Sequence, residues 1–214
     1  MFDFHCHSIF SDGELIPAEI WRRVKVLGYT AIAITDHADY SNYEAILSNL
    51  LKITSAFSGL TPRLIPGIEI THVPPKFIPE LIVKARQAGA EIVVVHGETL
   101  VEPVEEGTNL SAILGGADIL AHPGLITENE VKLAAEKGVF LEISGRKGHC
   151  LANGHVAKLA LKYGAPLVID SDAHSPSDLL SKELALKIAI GAGLSKEDVN
   201  QLWKKVEERF LKKP

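Results

Sequence analysis

Short apolar segments alternate with longer amphipathic segments along the whole chain. The apolar segments are rich in Ile and Val, and they lie at 2–7, 31–35, 63–70, 91–95, 118–121, 139–144 and 166–170. They are continuous rather than alternating, which is typical of parallel strands that are covered on both faces. The pattern therefore predicts seven buried parallel strands.

The amphipathic segments between the strands predict helices. The strongest lie at 17–27, 80–88, 128–137 and 155–163, and each is followed by a glycine, the residue that most often ends a helix. Weaker helical patterns lie at 42–58, 109–114 and 177–190, and a terminal helix is predicted at 195–211.

Seven strand–helix units followed by a helix predict one α/β domain over 1–214, folded as a distorted, TIM-like (β/α)7 barrel. An open doubly wound sheet is the competing architecture. The pattern leaves open whether the terminal helix packs under the barrel or forms a dimer contact, and the oligomeric state stays open with it.

Histidines and carboxylates mark the C-terminal end of every predicted strand. They are His5 and His7, His37, Glu69, His96, His122, Glu142, and finally Asp172 and His174. A single histidine of this kind would be interpreted as structural. In a barrel, however, the C-terminal strand ends converge on one mouth, so the series predicts one shared site there.

The types of these side chains favour a metal centre. On the first strand His5 and His7 share a face, while Cys6 points the other way and is predicted to be buried. Imidazoles and carboxylates without thiolates suit Zn²⁺, Mn²⁺ or Fe. The candidate ligands are His5, His7, Asp12, His37, Glu69, His96, His122, Asp172 and His174. Nine ligands exceed what one ion needs, so two or three divalent ions are predicted. Such clusters can hydrolyse phosphate esters through a metal-activated hydroxide.

Composition and charge narrow the function classes. The chain has 22 Lys and Arg against 27 Asp and Glu, which gives a net charge of −5. This charge argues against a long nucleic-acid-binding surface, although a short strand or a strand end remains possible as a substrate. The first residues include Asp3, His5 and His7, which do not fit a secretory signal, and there is no apolar run long enough to span a bilayer. A cytoplasmic protein without a membrane partner is predicted.

The motifs resemble those of the PHP (polymerase and histidinol phosphatase) superfamily. "DFHCHSIFSDG" is similar to its first motif, and "TDH", "GIEI", "VVVHGE", "AHPG" and "SDAH" are similar to the later ones, in the expected order from Asp3 to His174. Each motif is short, but the ordered series is specific.

The resemblance implies a trinuclear centre. It would place His5, His7, Glu69 and Asp172 on one ion, and His96 and His122 on a second ion that Glu69 bridges to the first. Asp12, His37 and His174 would hold the third ion, with Asp12 where some histidinol phosphatases have His.

Other polar residues are candidates for supporting roles. Glu142 is expected either to orient a metal ligand or to pair with a neighbour. Arg146, with Lys147 or His149, is expected to bind a substrate phosphate, although a solvated basic loop is the alternative for Lys147. His72 and His155 are interpreted as structural.

The sequence thus predicts a metal-dependent phosphoesterase that hydrolyses a small phosphomonoester, similar to histidinol phosphatases. One alternative is a phosphodiesterase or exonuclease that acts on nucleotides or nucleic-acid ends. A lesser alternative is a non-catalytic subunit, because "HPGL" and "LEISGR" resemble the barrel subunit of archaeal ribonuclease P. Such subunits lack the metal ligands and tend to be basic, whereas this chain has all nine ligands and is acidic.

Overall fold

Parallel strands form one sheet that curls into a barrel in the computed structural model, which describes residues 1–212. The last two residues of the predicted domain lie outside this part of the chain. The strands are β1 Phe2–Asp3, β2 Ala31–Ile34, β3 His37–Ala38, β4 Arg63–Ile70, β5 Ile92–His96, β6 Ile119–Ala121, β7 Phe140–Ser144 and β8 Leu167–Asp170.

The order of the strands around the barrel follows the chain. It runs β1-β2-β4-β5-β6-β7-β8, and the short β3 pairs with β4 beyond the end of β2. Seven strand positions are therefore occupied, which confirms the distorted (β/α)7 barrel over the open sheet. The Ile, Leu and Val residues of the strands are almost all buried, as their continuous apolar runs predict.

The barrel closes irregularly between its first and last strands. At this seam, which comprises 3–7 and 170–173, one parallel bridge joins Cys6 to Ala173, and Asp172 N donates to His5 O at 2.9 Å. Next to this bridge, a side chain replaces the backbone pairing between the first and last strands. Phe4 N donates to Asp170 Oδ1 at 2.8 Å instead of to a strand carbonyl. Cys6 is buried, as predicted.

Helices connect the strands on the outside of the barrel. They are α1 Pro17–Val26, α2 Tyr43–Ala56, α3 Ile78–Gln87, α4 Thr108–Gly115, α5 Glu128–Lys137, α6 Asn153–Tyr163, α7 Lys182–Gly191 and α8 Lys196–Val206. Short 3₁₀ turns lie at Pro75–Phe77 and His149–Ala152. The helix predicted at 177–190 begins later, because the Ser181 side chain accepts from Leu184 N and caps α7 at its start.

The terminal helix packs under the barrel. A wider, π-type turn, Glu207–Leu211, follows α8 and buries Phe210. The Phe210 ring lies 5.0 Å from the rings of both Phe4, which directly follows β1, and Phe140, which starts β7. This helix therefore covers the end of the barrel opposite the predicted site. None of the helices within residues 1–212 is long and apolar enough to cross a membrane.

Candidate metal centre

A polar cavity of about 260 Å³ opens at the C-terminal ends of the strands. It is lined by Asp12, His37, Thr71, His72, His96, Glu102, Arg146, His149, Asp172 and His174. All nine residues predicted as ligands lie in overlapping groups, within each of which one donor atom per residue is within 4.8 Å of the others. The barrel thus brings together side chains that are up to 169 positions apart, from His5 to His174.

The seam supplies the first of these groups. His7 Nε2 lies 3.2 Å from Asp172 Oδ1, and His5 Nε2 lies 3.7 Å from the same oxygen. Asp172 has a φ of 52°, a left-handed conformation that L-residues rarely adopt. Such strain at a buried polar group is characteristic of functional sites.

Glu69 of β4 occupies the middle of the cluster. Its Oε1 lies 3.2 Å from His5 Nε2 and 3.5 Å from His122 Nε2. Its Oε2 lies 2.7 Å from His37 Nδ1 and 3.6 Å from His7 Nε2. One buried carboxylate therefore contacts four imidazoles from three places on the barrel, the geometry expected of a bridging group.

The third group stands at the outer rim. His174 Nε2 lies 3.2 Å from Asp12 Oδ1, and His37 Nε2 lies 3.6 Å from that oxygen. The His7 and His174 rings are stacked, with centroids 4.0 Å apart. Asp12 is exposed, so this group is the most accessible of the three.

The loop that carries Asp12 is fixed by a carboxylate that the sequence analysis missed. Asp36 Oδ1 accepts from Ser8 N at 2.7 Å and from Ser11 N at 3.1 Å. Gly13 is required for close approach, since a Cβ there would lie 2.4 Å from His7 O. The "SDG" motif is therefore a loop that places Asp12, and the Asp of "TDH" was the available signal for its support.

Glu142 of β7 orients two of the predicted ligands. Its Oε1 lies 2.6 Å from His5 Nδ1, and its Oε2 accepts from His122 N at 2.9 Å. A carboxylate accepts hydrogen bonds, so His5 Nδ1 carries a proton, and Nε2 is the nitrogen that faces the cluster and would bind a metal. His122 has a φ of 27°, a second unusual conformation, and Glu142 holds it in place.

The residues predicted to bind phosphate have different positions. Arg146 lines the cavity, contacts His174, and donates through Nη1 to Asp172 O at 3.2 Å. His149 is buried and its Nε2 lies 3.3 Å from Glu102 Oε1. Lys147 is exposed and is not part of the cavity lining.

His72 and Glu102 are cavity residues that the sequence analysis did not assign to the site. His72 Nε2 lies 3.3 Å from Glu102 Oε2, whereas His155 donates to Ile126 O at 2.8 Å and is structural, as predicted. The signal for His72 was its place two residues beyond "GIEI", where β4 ends. Glu102 lies in a long loop whose path the sequence pattern does not predict.

Unpaired buried atoms show that the cluster fits cations. Within residues 1–212, several buried polar atoms of the cluster have no hydrogen-bond partner: His5 Nε2, both ring nitrogens of His7 and of His122, Glu69 Oε1, Asp172 Oδ1 and His174 Nε2. Buried polar atoms normally have partners, and each one without a partner costs free energy. Cations placed among these imidazole nitrogens and carboxylate oxygens would satisfy them together.

The protonation states favour the same interpretation. Burial lowers the pKa of His7 to about 3 and that of His96 to about 4, so both rings are neutral near pH 7 and have lone pairs to donate. Burial opposes ionisation of Glu69, yet His5 and His37 hold the pKa of this carboxyl well below its usual range. Glu69 in turn raises the pKa of both His5 and His37 despite their burial, so these two rings hold protons that a bound cation would displace. The centre thus combines neutral and protonated imidazoles with an ionised carboxylate.

Comparison with known proteins places the chain among relatives of differing names. The PHP domain model matches residues 3–95. An uncharacterized protein of Methanocaldococcus jannaschii is 47% identical over 218 residues, which cover 99% of each chain. Ribonuclease P protein component 3 of Methanosarcina mazei is 28% identical and covers 99% of this chain and 89% of its own length. A probable phosphatase of Thermoanaerobacter sp. is 27% identical and covers 99% and 96%.

Proposed function

The chain belongs to the PHP family, and from that membership we propose that it is a metal-dependent phosphoesterase acting on a small phosphomonoester. The observation that carries this proposal is the cluster of nine imidazole and carboxylate side chains with unpaired buried donor atoms. Catalysis by such a cluster requires metal, so activity is expected to depend on bound Zn²⁺, Mn²⁺ or Fe ions.

Two or three ions would be held by the nine residues that the family pattern indicates. The inner part consists of His5, His7, Glu69 and Asp172. The side at the ends of β5 and β6 consists of His96 and His122, and the rim consists of Asp12, His37 and His174. When bound, the ions would polarise the phosphoester and lower the pKa of a water molecule.

The chain's own residues supply orientation and charge. Glu142 keeps the Nε2 lone pair of His5 directed into the cluster, through the 2.6 Å contact at Nδ1. Arg146 is anchored at the rim by Asp172 O, and its planar guanidinium can donate two parallel hydrogen bonds to phosphate oxygens. The cavity of about 260 Å³ lies just below the usual range for ligand pockets of ~300–1,000 Å³, which favours a small substrate or a terminal phosphate.

The test is hydrolysis of a matched phosphomonoester and phosphodiester by the Mn²⁺-loaded protein, with a chelated sample as control. Chelator-sensitive release from the monoester alone is expected, and a metabolite screen would then begin with histidinol phosphate. Arg146→Lys keeps the positive charge but removes the paired N–H donors of the guanidinium, and this variant should have a higher KM for the monoester. Lys147→Ala should leave KM unchanged. Absence of hydrolysis by the metal-loaded protein would refute the proposal.

A second candidate is a nucleotide or nucleic-acid end, favoured by an exposed aromatic pair. Tyr40 follows β3 and Phe77 ends the turn after β4, so both lie on the side of the barrel where the cavity opens. Their ring centroids are 6.3 Å apart, and Lys76 Nζ lies 4.7 Å from the centroid of Phe77. Exposed rings beside a cation can stack a nucleobase and attract its phosphate.

Nucleoside monophosphate and glycerol phosphate distinguish the two candidates. If a nucleobase stacks on the pair, Tyr40→Ala should raise KM for the nucleotide and leave that for glycerol phosphate unchanged. Tyr163→Ala, at the end of α6 on the opposite side of the barrel, is the matched control. Equal effects of Tyr40→Ala on both substrates would eliminate stacking.

A third candidate follows from the relatives named ribonuclease P protein component 3, which span most of this chain. A role as a non-catalytic subunit would predict that His5→Ala leaves function intact. The acidic net charge of −5 and the intact ligand set favour the enzyme instead. Binding of RNA by a hydrolytically silent, metal-loaded protein, unchanged by His5→Ala, would favour the subunit.

A further inference from the structure

Glu102 brings a carboxylate to the cavity that is not among the nine residues of the family pattern. It lies in the loop between β5 and α4, where its Oε2 is 3.0 Å from His96 Nε2 and its Oε1 is 3.3 Å from His149 Nε2. The second oxygen also faces His72 Nε2 at 3.3 Å. Three imidazoles from three separate segments thus meet one carboxylate.

His149 extends the pair formed by His96 and His122. The ring centroid of His122 lies 4.1 Å from that of His149 and 4.5 Å from that of His96. One ring nitrogen from each of the three residues lies within 4.8 Å of the others, and all three side chains are buried. This arrangement offers three nitrogen donors to one position.

Glu69 contacts His122 of this group but not His96. Its measured contacts join it to His5, His7, His37 and His122, and the group of donors that contains Glu69 combines it with His5 and His122 rather than with His96. The carboxylate nearest to His96 is Glu102. The donor that would complete a site at His96 is therefore a loop residue.

Unpaired atoms provide an independent indication of a ligand at this position. In the described part of the chain, His149 Nδ1 and both ring nitrogens of His122 are buried and have no hydrogen-bond partner. A structural histidine cluster would normally satisfy such atoms with protein donors or acceptors. A cation would satisfy at least one nitrogen of each ring.

We propose that His149 and Glu102 join His96 and His122 in holding the second metal ion, with His72 positioning the Glu102 carboxylate. Three imidazoles and one carboxylate form a donor set that Zn²⁺ accepts. His149 is then a metal ligand rather than a residue that binds phosphate. This inference rests on the proposed metal-dependent function, and it assigns to the β5–α4 loop a direct part in metal binding.

The experiment measures metal bound per chain and metal affinity, independently of activity. The full-length protein is stripped of metal, reloaded with Zn²⁺ and titrated against a chelating dye, and Co²⁺ absorption gives a second readout. His149→Ala and Glu102→Gln are compared with Glu105→Gln, an exposed carboxylate in the same loop. Melting curves without metal show that each variant folds, and Glu102→Gln is the conservative variant should His149→Ala fail to fold.

The wild type is expected to bind at least two ions, and each variant to lose one ion or to bind one ion 10- to 100-fold more weakly. The Co²⁺ spectrum should change in the same variants, while Glu105→Gln should match the wild type. Full stoichiometry and unchanged affinity in both variants would overturn this inference and leave the proposed function standing. A wild type that binds no metal would overturn both.

Discussion

Replacement of Glu142 by Gln tests how the barrel presents His5 to a metal. Both carboxylate oxygens accept: Oε1 from His5 Nδ1 at 2.6 Å and Oε2 from His122 N at 2.9 Å. Gln has one accepting oxygen and one donating amide, so it can satisfy only one of these two donors. If the amide faces His5, the ring must move its proton to Nε2, which then cannot bind a metal.

The structure sets the size of the expected effect. One hydrogen bond to a charged group is lost, which is worth about 1.5–3 kcal/mol, or roughly 10- to 150-fold in an equilibrium constant. This agrees with the ~10- to 100-fold loss of metal affinity that follows removal of a residue supporting a ligand. We therefore expect Glu142→Gln to bind the ion of the inner part, which includes His5, at least about 10-fold less tightly than the wild type.

Competition of the metal-free protein against a chelating dye measures this affinity directly. Asp118→Asn is the matched control, because Asp118 is also a buried carboxylate that accepts from a backbone N–H, that of Val93, at 2.9 Å. It directly precedes β6 and therefore lies at the end of the barrel opposite the cluster. The control should lose stability without losing metal affinity. A folded Glu142→Gln variant with wild-type affinity would refute the reasoning about the His5 proton.

Three further predictions concern stability and metal affinity. Chelation should lower Tm in calorimetry and excess Mn²⁺ should restore it, since metal at 100 times its Kd stabilises the folded state by about 2.7 kcal/mol; an unchanged Tm would contradict metal binding. Gly13→Ala should weaken metal binding at the rim, because the new Cβ would lie 2.4 Å from His7 O. Competition with a chelating dye measures this, and Gly28→Ala, which has open space around the new Cβ, should leave metal affinity intact. Burial raises the pKa of Tyr29, whose hydroxyl donates to Leu180 O at 2.6 Å, so the folded state keeps this proton when the unfolded chain releases it. The contribution of Tyr29 to the free energy of unfolding is complete below pH 10 and falls above pH 10 by up to about 1.4 kcal/mol per pH unit. Urea titrations should therefore show that the stability difference between the wild type and Tyr29→Phe is smaller at pH 11 than at pH 8. An equal difference at both pH values would contradict this.

The inner part of the site was predictable because it stands on strands. A residue such as Glu69 or His96, near the C-terminal end of an apolar strand, lies at the mouth of a parallel barrel regardless of the conformation of the loops. The order of the strands and the glycine-ended helices follow equally from local patterns.

The parts that the sequence did not predict depend on contacts between distant segments. Glu102 reaches His96 only through the path of a loop, and Asp36 supports Asp12 across 24 positions through backbone donors. The terminal helix is placed by the packing of Phe210 on Phe4 and Phe140, which helical periodicity alone does not specify.

The seam of the barrel has a consequence for how the protein is made. His5 and His7 are synthesised at least 165 positions before Asp172 and His174. The first group of ligands is complete only when β8 docks beside β1, so a nascent chain that ends before β8 lacks this binding position. Capture of an ion there would therefore follow the docking of β8, and a bound ion would hold the first and last strands of the barrel together.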